Sequence, residues 1–542
     1  MYDDLTKAAI QSGTDKFGLH DYTPNYHKIF AHLRTAPIRV LEIGVGGYAD
    51  DDRGGQSLEV WRDYFSKAQI VGIDIQKKTM DLGSRVSILQ GSQVDTNFLD
   101  KLVKNYGPFD IIIDDGSHRN AHIVKSYQLL FPTLVPGGIY VAEDVQTSFH
   151  PRFGGSLEMA APNSVGYFGQ IAQGLSTHSD DPLINNIAAI ERFHNMIVMH
   201  KKRDGMAHDV FASNLFKSFG VTAPRVTTIG DIPTLPFATK PPHCARADNP
   251  IPPSDLLIVN LTDTPSIAQI ETWFDTVAEN GVMVIRSDTP TAHFGTDTLL
   301  GPYIQHRFTM LDHVEILVHY PEAPIDVLAA QIYSLERYTD ALVLHKAPNT
   351  YPSNFAFDAS NAQAAAAIAH MGEVLKDSDH IGGLVLYASI LARNVSTSAS
   401  AAPIQRLTAI GATSREYYQM AGALARFEKR VEDAQALFTT ALQKFPYDPQ
   451  FSVMLAAILA NRRQPIEAES ILRSAYQKNP RARNVVAALA RTLEAKSNFA
   501  EAKILVESTI NLFPHYMRPA RLEILHRLEQ TLNIYKTDLD KR

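Results

Sequence analysis

From residue 38 onward the chain alternates short apolar runs with amphipathic stretches. The runs span 38–44, 68–75, 85–91, 109–116 and 137–144, each built on β-branched or aliphatic residues and bounded by glycine or acid. None of them alternates apolar with polar, so each reads as a strand buried on both faces, which predicts a parallel sheet. Between the runs, 57–66 and 121–134 carry helical periodicity. Strand, helix, strand, repeated, predicts a doubly wound α/β domain. The preceding residues 1–37 are polar and aromatic, with the run Gly13-Thr-Asp-Lys16 and the run from His20 through Tyr22 to Tyr26.

A second, smaller α/β segment comes next. IAAIERFHNMIVMHK at 187–201 returns as IYSLERYTDALVLHK at 332–346, an offset of 145, and the same offset carries Asp110 and its three isoleucines to Asp255-Leu-Leu-Ile258. Two readings stand: a degenerate copy of part of the first domain, or a chance likeness between buried strands. The copy has neither a glycine loop nor an acidic motif like that at 114–118, so no chemistry is expected of it. Residues 222–254, rich in Pro and Thr, read as a linker or long loop, and 347–360 as a loop. The C-terminal part beyond this loop is helical with a fixed period. Ala434, Ala468 and Ala502 are 34 residues apart, as are Pro446, Pro480 and Pro514. Phe438, Leu472 and Val506 repeat a large apolar position, and Gly422, Ala456 and Ala490 a small one. A helix-turn-helix period of this length resembles the tetratricopeptide repeat. The expected division is an α/β domain over 1–204, a degenerate α/β segment over 205–350, a helical connector over 351–412, and an all-α tetratricopeptide-like solenoid over 413–542 ended by a capping helix.

Composition narrows the function classes. The 542 residues are 45% hydrophobic and 20% charged, ordinary for a globular chain. A net charge of −7 gives nucleic-acid binding no support. The lone Cys244 excludes a disulfide framework or a cysteine zinc site. Acids early in MYDDLTKAAI argue against a signal peptide, and no run reaches the ~18 apolar residues of a membrane span. The expectation is a cytoplasmic protein.

The candidate chemistry lies at the strand ends. The first strand closes Glu42-Ile-Gly44-Val-Gly46-Gly47, whose glycines allow a tight turn and close approach of a ligand. The loop also satisfies the dinucleotide pattern. It runs on, however, through Asp50-Asp51-Asp52 before the next helix, and three acids would repel a pyrophosphate. S-adenosylmethionine has no phosphate and carries positive charge, so Glu42 and an acidic loop suit it. Asp74 at the end of the second strand can accept ribose hydroxyls. Gln93 and Asp114 are further candidates for the cofactor side. The fourth run ends Asp114-Asp115-Gly116-Ser117-His118 and the fifth ends Glu143-Asp144. Parallel strands open on one edge, so Asp115, Glu143 and Asp144 should converge there. Carboxylates so close need a cation, and oxygen ligands suit Mg²⁺. His118 is then placed to act as general base.

With these residues in view, LEIGVGGY, the stretch from Gly54-Gly55 through Ser57, Leu58 and Trp61 to Tyr64-Phe65, FDIIIDDGSH and YVAEDVQT resemble the macrolide-sugar O-methyltransferases of the mycinamicin and tylosin type, across about residues 12–204. The resemblance implies a class I, Rossmann-like methyltransferase domain that uses S-adenosylmethionine. It assigns Mg²⁺ to Asp115, Glu143 and Asp144, and proton removal from a sugar hydroxyl to His118. The family's macrolide enzymes carry a separate oligomerisation domain that has no counterpart in these residues, so neither the macrolide acceptor nor tetrameric assembly is carried over. The expected activity is O-methylation of a sugar or glycoconjugate, with the repeats binding a protein partner or associating with themselves. Two rivals are a tetratricopeptide scaffold with a vestigial methyltransferase domain and an NAD-dependent nucleotide-sugar enzyme.

Overall fold

In the computed structural model the chain separates into two compact units, 1–367 and 368–542. The structure describes residues 3–47, 51–159, 162–177, 181–206, 208–213, 224–232, 243–245, 251–320, 322–323, 326–347, 362–480, 482–510 and 518–539. Tyr48, Asp50 and Pro514 lie outside them, as does most of the 347–360 loop.

Among the described residues, the first unit is built on one sheet of 13 strands. They are β1 (Arg39–Ile43), β2 (Gln69–Asp74), β3 (Val86–Gln90), β4 (Ile111–Asp114), β5 (Ile139–Glu143), β6 (Ile187–Phe193), β7 (Met196–Lys201), β8 (Val226–Ile229), β9 (His243–Ala245), β10 (Ser254–Asn260), β11 (Val277–Arg286), β12 (Ile332–Tyr338) and β13 (Ala341–Lys346). The order is β3-β2-β1-β4-β5-β7-β6-β12-β13-β11-β10-β8-β9. The first five are parallel, as the unbroken apolar runs predict. Val40, Ile111 and Val141 pack on one face, and Leu41, Ile112 and Tyr140 on the other. Burial of both faces explains why alternation is missing from the sequence.

Past the β6–β7 hairpin the order runs in reverse. β12 lies antiparallel to β6 with Glu336 opposite Glu191. Beyond it β13, β11, β10, β8 and β9 retrace β7, β5, β4, β1 and β2. The two halves are thus related by a pseudo-twofold axis through the Glu191–Glu336 pair, and they share a continuous sheet. The helices Ser164–Gly174 and Leu300–Met310 cover its middle, burying Phe168, Ile171, Ile304 and Phe308 in one core. The 222–254 stretch is not simply a linker, because β8 and β9 lie in it. Strands this short, set among Pro and Thr, leave little periodic trace.

The second unit is helical. Helices Arg415–Phe427, Pro449–Asn461 and Arg483–Ala495 alternate with Val431–Lys444, Pro465–Lys478 and Phe499–Ile510. Each first helix starts 34 residues after the last, the period read from the sequence. Phe438, Leu472 and Val506 are buried, and the ring of Phe438 lies against Gly422. Among the described residues no helix is long and apolar enough to cross a membrane.

Candidate active site

The carboxyl ends of β1, β2, β4 and β5 open on one edge. The glycine loop after β1 doubles back on itself: Gly55 N donates to Val45 O at 2.7 Å. Gly44 has φ 96°, and a Cβ there would stand 2.1 Å from the carbonyl oxygen of Asp115, so only glycine lets the two strand ends meet. Asp74 caps the loop, its Oδ2 accepting from Val45 N at 3.0 Å and its Oδ1 from Gln76 N at 2.8 Å. Each oxygen keeps a lone pair for a further donor.

Asp115, His118 and Asp144 come together: ligand atoms of all three lie within 4.8 Å of one another. His118 and Asp144 both adopt left-handed backbone conformations, φ 53° and 55°, which non-glycine residues hold only when their surroundings enforce it. His118 Nε2 stands 3.8 Å from Asp144 Oδ2, and His20 Nε2 stands 3.8 Å from Asp144 Oδ1.

Glu143 does not join that group. Its carboxylate takes the ammonium of Lys16 at 2.7 and 2.8 Å and the hydroxyl of Tyr26. Lys16 also reaches Asp115 Oδ2 at 2.8 Å and Glu42 Oε1 at 3.3 Å. Glu42, fully buried, accepts from Ser57 Oγ at 2.8 Å as well. Gln93 and Asp114 are turned inward. Gln93 Nε2 donates to Asp114 Oδ1 at 3.0 Å and Gln93 Oε1 accepts from Ser117 N at 2.9 Å, while Tyr140 OH donates to Asp114 Oδ2 at 3.0 Å. These bonds pin the turn that presents His118.

Lys16, Tyr22 and Tyr26, noted in the sequence only as members of polar and aromatic runs and given no role there, are site residues. Tyr22 OH donates to Asp144 Oδ1 at 2.6 Å. Tyr22 and Tyr26, four residues apart at the start of the helix Thr23–Phe30, aim their hydroxyls the same way. That spacing is visible in the sequence; Lys16, in a loop, carries no such signal.

One lysine faces three carboxylates here, Asp115, Glu143 and Glu42. Burial opposes the charge of Lys16, but Asp115, Glu143 and Glu42 outweigh it and hold its pKa well above the ordinary value. Burial raises Glu143, Asp115 and Glu42. Burial opposes charge on Asp144 too, yet His20, His118 and the Tyr22 hydroxyl outweigh it and lower its pKa. The cluster keeps excess negative charge at its open side, and two carboxylates with an imidazole are a donor set that fits a divalent cation. Asp115, Asp144 and His118 are the residues able to hold one.

Fold and site together define a Rossmann-like α/β domain with an acid-and-imidazole cluster at the carboxyl edge of its sheet. No family model matches the chain. Over part of its length it is similar to sugar O-methyltransferases. Mycinamicin VI 2''-O-methyltransferase of Micromonospora griseorubida is 40% identical over 212 residues, 37% of this chain and 53% of its own. The 8-demethyl-8-alpha-L-rhamnosyl tetracenomycin-C 2'-O-methyltransferase of Streptomyces olivaceus is 43% identical over 178 residues, 33% of this chain and 47% of its own. Among solved structures, the MycE methyltransferase of the mycinamycin pathway in complex with Mg and SAH is 39% identical, covering 39% of this chain and 55% of that one, with a TM-score of 0.35. The chain spans about half the length of the curated relatives it matches.

Proposed function

We propose that residues 1–204 form an S-adenosylmethionine-dependent, metal-assisted O-methyltransferase that acts on a hydroxyl of a sugar or glycoconjugate. One observation carries the reading. Asp115, His118 and Asp144 converge at the carboxyl edge of the sheet, in a chain 40–43% identical over part of its length to enzymes that methylate sugar hydroxyls. When bound, S-adenosylmethionine would supply the methyl group from its sulfonium and leave as the neutral thioether, and a divalent cation held by Asp115 and Asp144 would supply charge that eases loss of the acceptor proton. Asp74 accepts the ribose hydroxyls with its remaining lone pairs. His118, partly exposed beside Asp144, takes the hydroxyl proton. Lys16 and Tyr26 hold Glu143 behind the site, so that Glu143 shapes the charge of the cluster.

The same reading makes 205–350 a degenerate copy of the first domain, 351–412 a connector, and 413–542 a module that binds a protein partner or self-associates. It places the reaction in the cytoplasm. The test is methyl transfer from labelled S-adenosylmethionine to simple glycosides, with and without Mg²⁺. His118→Ala should slow turnover by ~10²–10⁴ while metal affinity holds. Metal affinity lost with turnover would make His118 a ligand instead of the base, and full activity in excess EDTA would remove the metal.

A further inference from the structure

We infer that Asp312, on the second half of the sheet unit, is a positioning residue for Asp144, acting through Asn195. The inference rests on the reading of Asp144 as a metal-holding residue.

Asn195 sits in the tight turn between β6 and β7, fully buried, with φ 59°. Three of its atoms clamp the segment that begins at Asp144. Its Nδ2 donates to Asp144 Oδ1 at 3.2 Å, its Oδ1 accepts from Gln146 N at 2.8 Å, and its carbonyl accepts from Val145 N at 3.4 Å. The same Nδ2 reaches the Tyr22 hydroxyl. Asn195 therefore fixes both the oxygen that Asp144 presents and the strained backbone beneath it.

Asn195 is in turn fixed from the other half. Its backbone N donates to Asp312 Oδ1 at 2.7 Å. The other oxygen of Asp312 pairs with the guanidinium of Arg192. Asp312 and Arg192 are fully buried. Arg192 donates onward to Met196 O at 3.3 Å and Phe308 O at 3.2 Å, so it straps the hairpin turn to the helix Leu300–Met310, just ahead of Asp312.

The pseudo-twofold axis supplies an internal comparison. Arg337 occupies the place of Arg192 in the second half, donating to Ala341 O at 3.0 Å and Ala172 O at 3.0 Å. Its remaining arm meets the hydroxyl of Ser176, not a carboxylate. Strand register places Arg286 where the first half has Glu143, and Asn260 where it has Asp115. Arg337 thus meets a hydroxyl where Arg192 meets a carboxylate; the turn of the second half has its own carboxylate, Asp340, which accepts from Val210 N at 3.0 Å and stands 4.0 Å from Arg286 Nε. The acceptor that binds both the arginine and the backbone N of the turn, Asp312, is found in the half that carries the acid cluster. The second half is a working part of the first.

The test uses the full chain, with Mn²⁺ alone as the probe, and measures its affinity by calorimetry and its free fraction by electron paramagnetic resonance. Asp312→Asn keeps the shape but weakens the acceptor for Asn195 and unpairs Arg192. Asn195→Gly removes the two side-chain arms of the clamp, leaves Arg192 and Asp312 paired, and suits the left-handed backbone. Both should weaken Mn²⁺ binding tenfold or more, the effect typical of groups that orient a metal ligand, with S-adenosylmethionine affinity within about twofold of wild type. If Asp312→Asn does not fold, Asn195→Gly decides. A folded Asp312→Asn or a folded Asn195→Gly that binds Mn²⁺ within twofold of wild type overturns the inference. Wild-type protein that binds no Mn²⁺ overturns the metal reading, and the inference with it.

Discussion

Lys16 is the most informative single position to perturb. It lies within 2.7 Å of Glu143, 2.8 Å of Asp115 and 3.3 Å of Glu42, and is almost wholly buried. At an effective dielectric of about 20, each of the two shorter contacts is worth ~6 kcal/mol of gross attraction. Most of that offsets the cost of taking the charges out of water. Removing one partner of a buried pair leaves the others uncompensated and typically costs ~3–5 kcal/mol. Lys16→Met preserves the length of the side chain, so little of the loss is cavity. For a unit of 367 residues the unfolding entropy is about 0.8 kcal/mol/K, which converts that loss into a fall in Tm of about 4–6 °C. Both tryptophans, Trp61 and Trp273, belong to this unit, so a thermal melt followed by tryptophan fluorescence reports it without the helical repeats. The fall should be larger at pH 8 than at pH 5.5, because carboxylates already raised by burial take up protons once the ammonium is gone. Mg²⁺ should recover part of it. A Lys16→Met protein that melts within 1 °C of wild type at pH 8 refutes Lys16 as the counter-ion of the cluster.

Asp74→Ala should weaken S-adenosylmethionine binding at least tenfold, from the loss of ~1.5–3 kcal/mol of charged hydrogen bonding, and calorimetry showing wild-type affinity would move the ribose contact elsewhere. At the pseudo-twofold axis, burial opposes charge on Glu336, but Lys28 at 3.1 Å and His345 at 2.8 Å outweigh it and hold its carboxyl far below the usual glutamate range. A depressed folded-state pKa contributes stability above the unfolded value that is lost as pH falls through the folded one. Glu336→Gln should therefore melt below wild type at pH 7, with the gap closing as the pH drops below the ordinary glutamate value of 4.5; a gap independent of pH would count against the ion pair. In the repeats, alanine at Gly422 would place its Cβ 2.4 Å from the ring of Phe438. Gly422→Ala should destabilise the helical unit by ~1–3 kcal/mol in chemical denaturation, despite the ~1 kcal/mol gain in helix propensity, and a net gain in stability would show that the ring has room to move.

Much of this was legible from residue order because it is local. The runs at 38–44, 68–75, 109–116 and 137–144 declared buried parallel strands, and strand ends on one edge implied that Asp115, Glu143 and Asp144 would meet, of which Asp115 and Asp144 come together with His118. The period of the repeats follows from which residues must be small and which large, and it held to the helix start. The likeness between 187–201 and 332–346 was visible too. Its meaning was not, because periodicity says nothing about which strand edge pairs with which. Only the fold lays β12 against β6 and makes one sheet of the two halves.

Charge placement was the other thing residue order could not settle. Lys16 precedes Glu143 by 127 residues, and nothing in a loop of that kind announces where its side chain will end. Once it does end among the acids, Glu143 is taken up by the lysine and Tyr26, and the open face of the cluster becomes Asp115, Asp144 and His118. Asp312 lies further still from the residue it supports. The elements, their period and the residue types at the strand ends follow from residue order, since these depend on neighbours along the chain. Which carboxylates are neutralised and which remain open follows from the fold, since Coulomb forces and burial act between groups more than a hundred residues apart in the chain.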